Sequence, residues 1–187
     1  MNTVRIIGGE WRRRVLRFPV AEGLRPTPDR VRETLFNWLG QDLSGLSCLD
    51  LFAGSGALGF EAASRGAARV VMIEQSARVA AALKDNARLL GAEDRLEIVR
   101  ADAVKFAASL NSSDVRFDVL FLDPPYKKGW IERLTPLLPQ FMADDGVLYV
   151  EAESALESCG HWTTVRNGRA GQVFYHLMQS GEPDDAQ

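Results

Sequence analysis

Histidine and cysteine are scarce in this chain, with two of each in 187 residues. Cys48 and Cys159 lie far apart and have no metal-ligand spacing, and Cys48 sits in an apolar run where a thiol is buried and inert. His161 and His176 both fall in the C-terminal segment, so neither a zinc centre nor a Ser/His/Asp arrangement is suggested. The expectation is an enzyme or binding protein without a metal. Long hydrophobic runs are missing as well: no apolar stretch approaches the roughly 20 residues that span a bilayer. The opening stretch MNTVRIIGGEWRRR has no continuous apolar segment of the secretory type. No membrane partner and a cytoplasmic location are therefore expected. What remains, 46% hydrophobic and 25% charged residues, is the composition of a soluble globular protein of one-domain size.

The net charge of −3 conceals an asymmetry. Residues 1–39 carry eight arginines against four acids, a balance of +4, which leaves −7 for the rest. An arginine-rich block beside an acidic domain points to an anionic partner for the N-terminal part, while a solvated charged hairpin accounts for it equally well.

From residue 46 onward, short apolar runs alternate with helical patterns, which predicts an α/β domain with a mostly parallel sheet. Strands are expected at 48–52, 69–73, 96–100, 117–122 and in GVLYVEAE. Helices are expected at 57–65, from an N-cap at Ser76 to Leu90 with Gly91 as the stop, at 104–110 and at 131–138. TTVRNGRAGQVFYHLMQ reads as two antiparallel strands around an Asn167-Gly168 turn, making seven strands in all. Ahead of this domain, VRIIGGEWRRRVLRF reads as a hairpin turned at Gly8-Gly9. RPTPDRVRETLFNWL reads as a helix capped by Thr27, with Val31, Leu35, Trp38 and Leu39 on its apolar face. The division is thus an N-terminal extension 1–39, a main domain 40–180 and an acidic, disordered tail 181–187.

CLDLFAGSGALGFEAA places Gly54, Gly56 and Gly59 between the first strand and its helix. The spacing alone also serves dinucleotide enzymes. Asp50 changes its meaning, because a carboxylate just ahead of the loop repels a pyrophosphate and favours a cationic ligand. S-adenosylmethionine, with a sulfonium, an ammonium and no phosphate, meets that demand. Glu74 ends the second strand, where an acid accepts from ribose hydroxyls, and Asp102 follows the third, within reach of an adenine amino group. The fourth strand ends in Asp123-Pro124-Pro125-Tyr126. This pattern is associated with methyl transfer to planar exocyclic amino groups. Such a nitrogen is a poor nucleophile, so its two N–H hydrogens must be held, here by Asp123 and the Pro124 carbonyl, with Tyr126 offering a face for the base.

RIIGGEWRRRVL, RPTPDRVRETLFNWL, DLFAGSGALGFEAASRGA, the strand ending in Glu74, and FLDPPY occur in that order. Together they resemble the bacterial RsmD-type family, which methylates the N2 amino group of one guanine in 16S ribosomal RNA. The resemblance implies a Rossmann-like class I S-adenosylmethionine-dependent methyltransferase fold, in which the sheet carries a C-terminal antiparallel hairpin. It implies that Asp50, Gly54, Gly56, Glu74 and Asp102, with Phe52, Ser55 and Ala103 beside them and Arg25 and Thr27 close by, bind the cofactor. It further implies that Asp123, Pro124 and Tyr126 hold the guanine, with Pro125, Arg12 and Arg14 on the RNA. The expected partner is 16S ribosomal RNA or the assembling small subunit, and a monomer is expected. DNA adenine-N6 and protein glutamine-N5 methyltransferases share the chemistry. The first usually needs a target-recognition domain for which little chain remains, and the second resembles NPPY.

Overall fold

The strands expected after residue 46 form one sheet, of eight members rather than seven. They are β3 (Ser47–Asp50), β4 (Arg69–Glu74), β5 (Leu96–Arg100), β6 (Phe117–Leu122), β7 (Met142–Ala152), the two-residue β8 (Ser158–Cys159), β9 (Trp162–Ala170) and β10 (Val173–Ser180). The structure, a computed structural model, describes residues 1–181, so nearly all of the expected disordered tail lies outside the described residues. Strand order is β5-β4-β3-β6-β7-β10-β9-β8. The first five positions pair in parallel, and β10, β9 and β8 are antiparallel. Strands β4 and β6 are buried on both faces, which is why they read as unbroken apolar runs.

Helices cover both faces. Helices α1 (Asp29–Leu39), α2 (Ala57–Ser64) and α3 (Ala77–Leu89) pack on one side through Leu35, Phe36, Phe60 and Leu83. Helices α4 (Ala103–Ser109) and α5 (Trp130–Leu134) pack on the other through Ala107 and Leu134. Ser76 caps α3 as expected, accepting from Val79 N at 3.4 Å, and Gly91 follows at φ 64°. The helix predicted over 131–138 is shorter: α5 gives way to a 3₁₀ segment, Thr135–Gln140, because Pro136 and Pro139 supply no N–H.

The turn expected at Asn167-Gly168 lies instead at Gly171-Gln172, between the paired Ala170 and Val173. Gly171 at φ 60° supplies the positive dihedral there, while Gly168 pairs with Tyr175 inside the ladder. A Cβ on Gly168 would stand 2.4 Å from the Tyr175 ring, so this glycine serves a close approach and not a turn.

The N-terminal hairpin departs from its expected form too. Strands β1 (Asn2–Arg5) and β2 (Val15–Phe18) are joined by residues 6–14, not by a tight Gly8-Gly9 turn. Arg12, Arg13 and Arg14 therefore belong to this loop, with Arg13 at φ 72°. The loop is tied to α2: Ile7 N and Gly8 N donate to the buried Glu61 carboxylate at 2.9 and 2.8 Å. Trp11 N donates to Ser64 Oγ, and Gly9 lies against the Ser64 carbonyl so closely that a Cβ would sit 1.9 Å from it. On α1 the most deeply buried face is Val31, Arg32, Leu35 and Phe36, with Trp38 and Leu39 only partly covered. Arg32 is buried because its guanidinium satisfies Thr27 O, Arg5 O and Glu61 at once. Among the described residues no helix is long and apolar enough to cross a membrane.

Candidate active site

Parallel strands deliver their carboxyl ends to one edge, and order reverses between β3 and β6, which opens a crevice there. Asp50 ends β3, Glu74 ends β4, Asp102 follows β5, Asp123 follows β6 and Glu151 stands at the end of β7. The ladder fixes which of these meet. Leu122 pairs with Val150, so Asp123 and Glu151 are the next residues on neighbouring strands and project to one face. Glu151 was not among the residues expected from the sequence. Extending the strand-end rule to GVLYVEAE would have found it.

The glycine loop turns at Gly54 (φ 52°) and Gly56 (φ 83°), the latter preceding α2. Leu24 lies over the loop, where a Cβ on Gly54 would approach its Cδ1 to 2.9 Å. Ser55 is buried and its Oγ accepts from Ala57 N. Glu74 holds the loop from the side, since its two carboxylate oxygens accept from Gly54 N at 3.0 Å and Ser76 N at 2.9 Å. Each oxygen has a further lone pair for a ligand hydroxyl. Asp102 caps α4 by accepting from Lys105 N at 3.0 Å, and Ala103 is buried behind it. Phe52 meets Trp130 edge-on at 5.3 Å.

Asp50 is 1% exposed, and its Oδ1 has no hydrogen-bond partner. Burial, opposed by the Phe52 and Gly59 N–H groups and reinforced by the Glu74 and Glu151 charges, pushes its carboxyl up to about 7. A buried, orphaned acid close to other acids suits a ligand bearing positive charge and is ill suited to a pyrophosphate. The residues thus fit the cationic end of S-adenosylmethionine.

Burial of Asp50 also ties stability to pH. The carboxyl titrates near 3.8 when unfolded and near 7 when folded, so the native state keeps a proton that the unfolded chain has released between those values. Stability of the free protein is expected to fall as pH rises from about 4 to about 7, and Asp50→Asn should flatten that decline. Thermal melts across the range check this, and an unchanged slope in the variant would refute it.

On the other wall, Asp123 is half-buried, Pro124 is buried, and Pro125 and Tyr126 are exposed, Tyr126 at 40%. Burial first, then the Glu151 charge and hydrogen bond, then Asp50, push Asp123 well above the carboxylate range. Burial also raises the Tyr126 phenol. Glu151 Oε1 accepts from Tyr149 OH at 2.6 Å and from Thr27 Oγ1 at 3.4 Å. Thr27 therefore serves the site and makes no cap on α1, whose N-terminus has no side-chain cap. Arg25 is exposed on the same segment.

Arg12 and Arg14 are not brought to this edge. Glu10 N bonds to Ser64 O at the end of α2, and Arg14 Nη2 to Leu89 O at the end of α3, both at the opposite edge of the sheet. Thirteen residues of α3 separate Leu89 from the Ser76 cap, about 20 Å of helix. Lys127 and Lys128 directly follow Tyr126, Arg25 lies two residues before Thr27, and Arg100 Nε donates to Gln75 O beside Glu74. His176 is buried, with Nδ1 2.9 Å from Val150 O and Nε2 accepting from Leu156 N. Cys48 is buried, its thiol pushed up to about 12 by burial.

Three comparisons bear on this arrangement. The chain is 43% identical over 189 residues to the Escherichia coli protein named ribosomal RNA small subunit methyltransferase D, across 97% of this chain and 93% of that one. It superposes on the solved structure of yhhF from Escherichia coli with a TM-score of 0.86 at 42% identity, over 97% of this chain and all of the other. An RNA methyltransferase from Salinibacter ruber, solved with S-adenosyl-L-homocysteine, aligns over 87% of this chain and 99% of its own with a TM-score of 0.66. At 20% identity that likeness is one of fold. The fold is that of class I methyltransferases, and residues 4–179 match the family model described as Conserved hypothetical protein 95, the RsmD family, to which this chain belongs.

Proposed function

We infer that the chain is an S-adenosylmethionine-dependent ribosomal RNA methyltransferase, and that its target is the exocyclic N2 amino group of one guanine in small-subunit RNA. The observation that carries the reading is the meeting of two walls at one crevice: an acid-lined glycine loop and the Asp123-Pro124 strand end. The similarity to a named ribosomal RNA methyltransferase over nearly the whole chain supports the substrate class.

When bound, the cofactor supplies an electrophilic methyl group whose bond to sulfur breaks with its electron pair going to sulfur. Asp50 and Glu74 hold its charged and hydroxyl-bearing parts. Asp123 and the Pro124 carbonyl accept the two amino N–H hydrogens, so the lone pair faces the methyl group. Pro125 fixes its own φ and restrains Pro124 to the extended region, setting the direction of that carbonyl. Tyr126, partly exposed at the rim, offers a stacking face for a base taken out of its stack.

Glu74→Ala should weaken cofactor binding by about 1.5 to 3 kcal/mol, as for a hydrogen bond to a charged group. Calorimetry with the cofactor checks this, and unchanged affinity would leave Glu74 with the loop alone. Arg12 and Arg14, about 20 Å of helix away, suit phosphates distant from the target base. Neutralising both should reduce the log–log salt dependence of RNA binding by about 0.7 to 0.9 for each phosphate no longer neutralised, and slow methylation only at low RNA. An unaltered salt slope would return this loop to a solvated surface. Deleting the gene in its host tests the function as a whole: one N2 methyl group should vanish from a guanine of the small-subunit RNA, and an unchanged methylation map would refute it.

A further inference from the structure

Glu151 is a buried acid to which the methyl transfer described above gives no role. It is 6% exposed and stands beside Asp123 in the β6/β7 ladder. One of its oxygens is occupied, since Oε1 accepts from both Tyr149 OH and Thr27 Oγ1. The register carries its carboxyl to the same face of the sheet as that of Asp123. Two buried acids side by side repel when both are charged, and a proton held between them relieves that repulsion.

We propose that Glu151 is a positioning and proton-holding residue for Asp123, the two carboxyls sharing one proton that Glu151 donates to one Asp123 oxygen. This rests on the methyltransferase reading above. The other Asp123 oxygen is then left to accept from the substrate amino group. As the nitrogen forms its new bond to carbon it becomes positively charged. Its N–H bond then breaks with the electron pair staying on nitrogen, and the proton passes to the free Asp123 oxygen. The pair now holds two protons and returns one to solvent through half-exposed Asp123. Tyr149 and Thr27 both donate to Oε1, which leaves the other Glu151 oxygen for Asp123. Thr27 is in turn held through its carbonyl by buried Arg32, at 3.0 Å.

The groups facing Asp123 are Glu151 and Tyr149 from β7, Asp50 from β3 and Tyr126 from its own loop, with Glu74 acting on Asp50 from β4. Among the causes that shift Asp123, burial and acids all raise it, so the pair's last proton leaves well above the ordinary range. Asp50 titrates high as well, and the test has to separate the two.

Carboxyl-carbon NMR of the full chain, free of ligands, should show two titration steps displaced upward from the ordinary carboxylate range, one from Asp50 and one from the pair. Asp50→Asn should remove the first. Asp123→Asn and Glu151→Gln should each remove the second, because a shared proton belongs to both residues. Survival of that step in Glu151→Gln, or a single step in the parent protein, would overturn the proposal. Activity gives an independent readout. Glu151→Gln retains a donor toward Asp123 and should keep kcat at neutral pH within about threefold, whereas Glu151→Ala should lower kcat about tenfold or more with KM within about threefold. Unchanged kcat in Glu151→Ala would also overturn it. The titration needs no substrate, so a methyl group found elsewhere than guanine N2 would fault the proposed function and leave the pairing standing.

Discussion

Replacing Asp123 by alanine should lower the methylation rate by about 100-fold or more while leaving cofactor affinity within several-fold. In the proposed reaction the carboxylate holds the amino group in the transition state, and its removal leaves the glycine-loop wall intact. The same substitution should not cost stability. Asp123 lies beside Glu151 and Asp50 with burial opposing its charge, so deleting it leaves one acid fewer to desolvate, which offsets the loss of the proton held between it and Glu151. A variant that melts at or above the parent temperature and turns over far more slowly is the expected pair of results. Near-normal turnover would remove Asp123 from the mechanism.

The largest effect on stability is expected at Glu61, far from any reacting atom. This carboxylate is fully buried and lies 3.0 Å from Arg65 Nε and 3.4 Å from Arg32 Nη1, both side chains 5% exposed or less. It also accepts from Ile7 N and Gly8 N. Glu61→Ala leaves two buried guanidiniums without their shared counter-charge and two backbone donors without an acceptor. About 3 to 5 kcal/mol should be lost, as when one member of a buried ion pair is removed. Denaturant unfolding measures it, and a loss under about 1 kcal/mol would contradict the reading. Because Arg32 also holds the Thr27 carbonyl, the surviving folded protein should bind cofactor less tightly.

The parallel sheet and most of the site are legible in the sequence because their signals are local. Strands buried on both faces produce uninterrupted apolar runs such as Val119-Leu120-Phe121-Leu122, and a strand end is marked by the residue that breaks the run. Asp50, Glu74, Asp102 and Asp123 all stand out in this way. Glu151 breaks the run Val147-Leu148-Tyr149-Val150 in the same way, but its strand continues to Ala152 with no glycine or proline to mark the edge of the crevice, so the rule has to be extended to reach it.

The N-terminal part is less legible for a different reason. Nothing local reveals that Arg32, in the first turn of α1, will be buried by a glutamate 29 positions later, or that loop 6–14 will be shaped by α2. Gly8-Gly9 looks like a hairpin turn because glycine permits one, yet both glycines are needed for contact with Ser64 and Arg65. Gly168 misleads in the same way. Its missing side chain makes room for the Tyr175 ring, which packs against Trp38 at 5.6 Å.

The central claim is that the crevice between Asp50 and Asp123 transfers a methyl group to a guanine amino nitrogen. Purified protein incubated with methyl-labelled S-adenosylmethionine and small-subunit ribosomal RNA, followed by digestion to nucleosides and mass spectrometry, tests it most directly. The label should appear in N2-methylguanosine alone, and the Asp123→Ala protein should leave the RNA almost unlabelled. Label in N6-methyladenosine, or no transfer to RNA by the parent protein, would contradict the account.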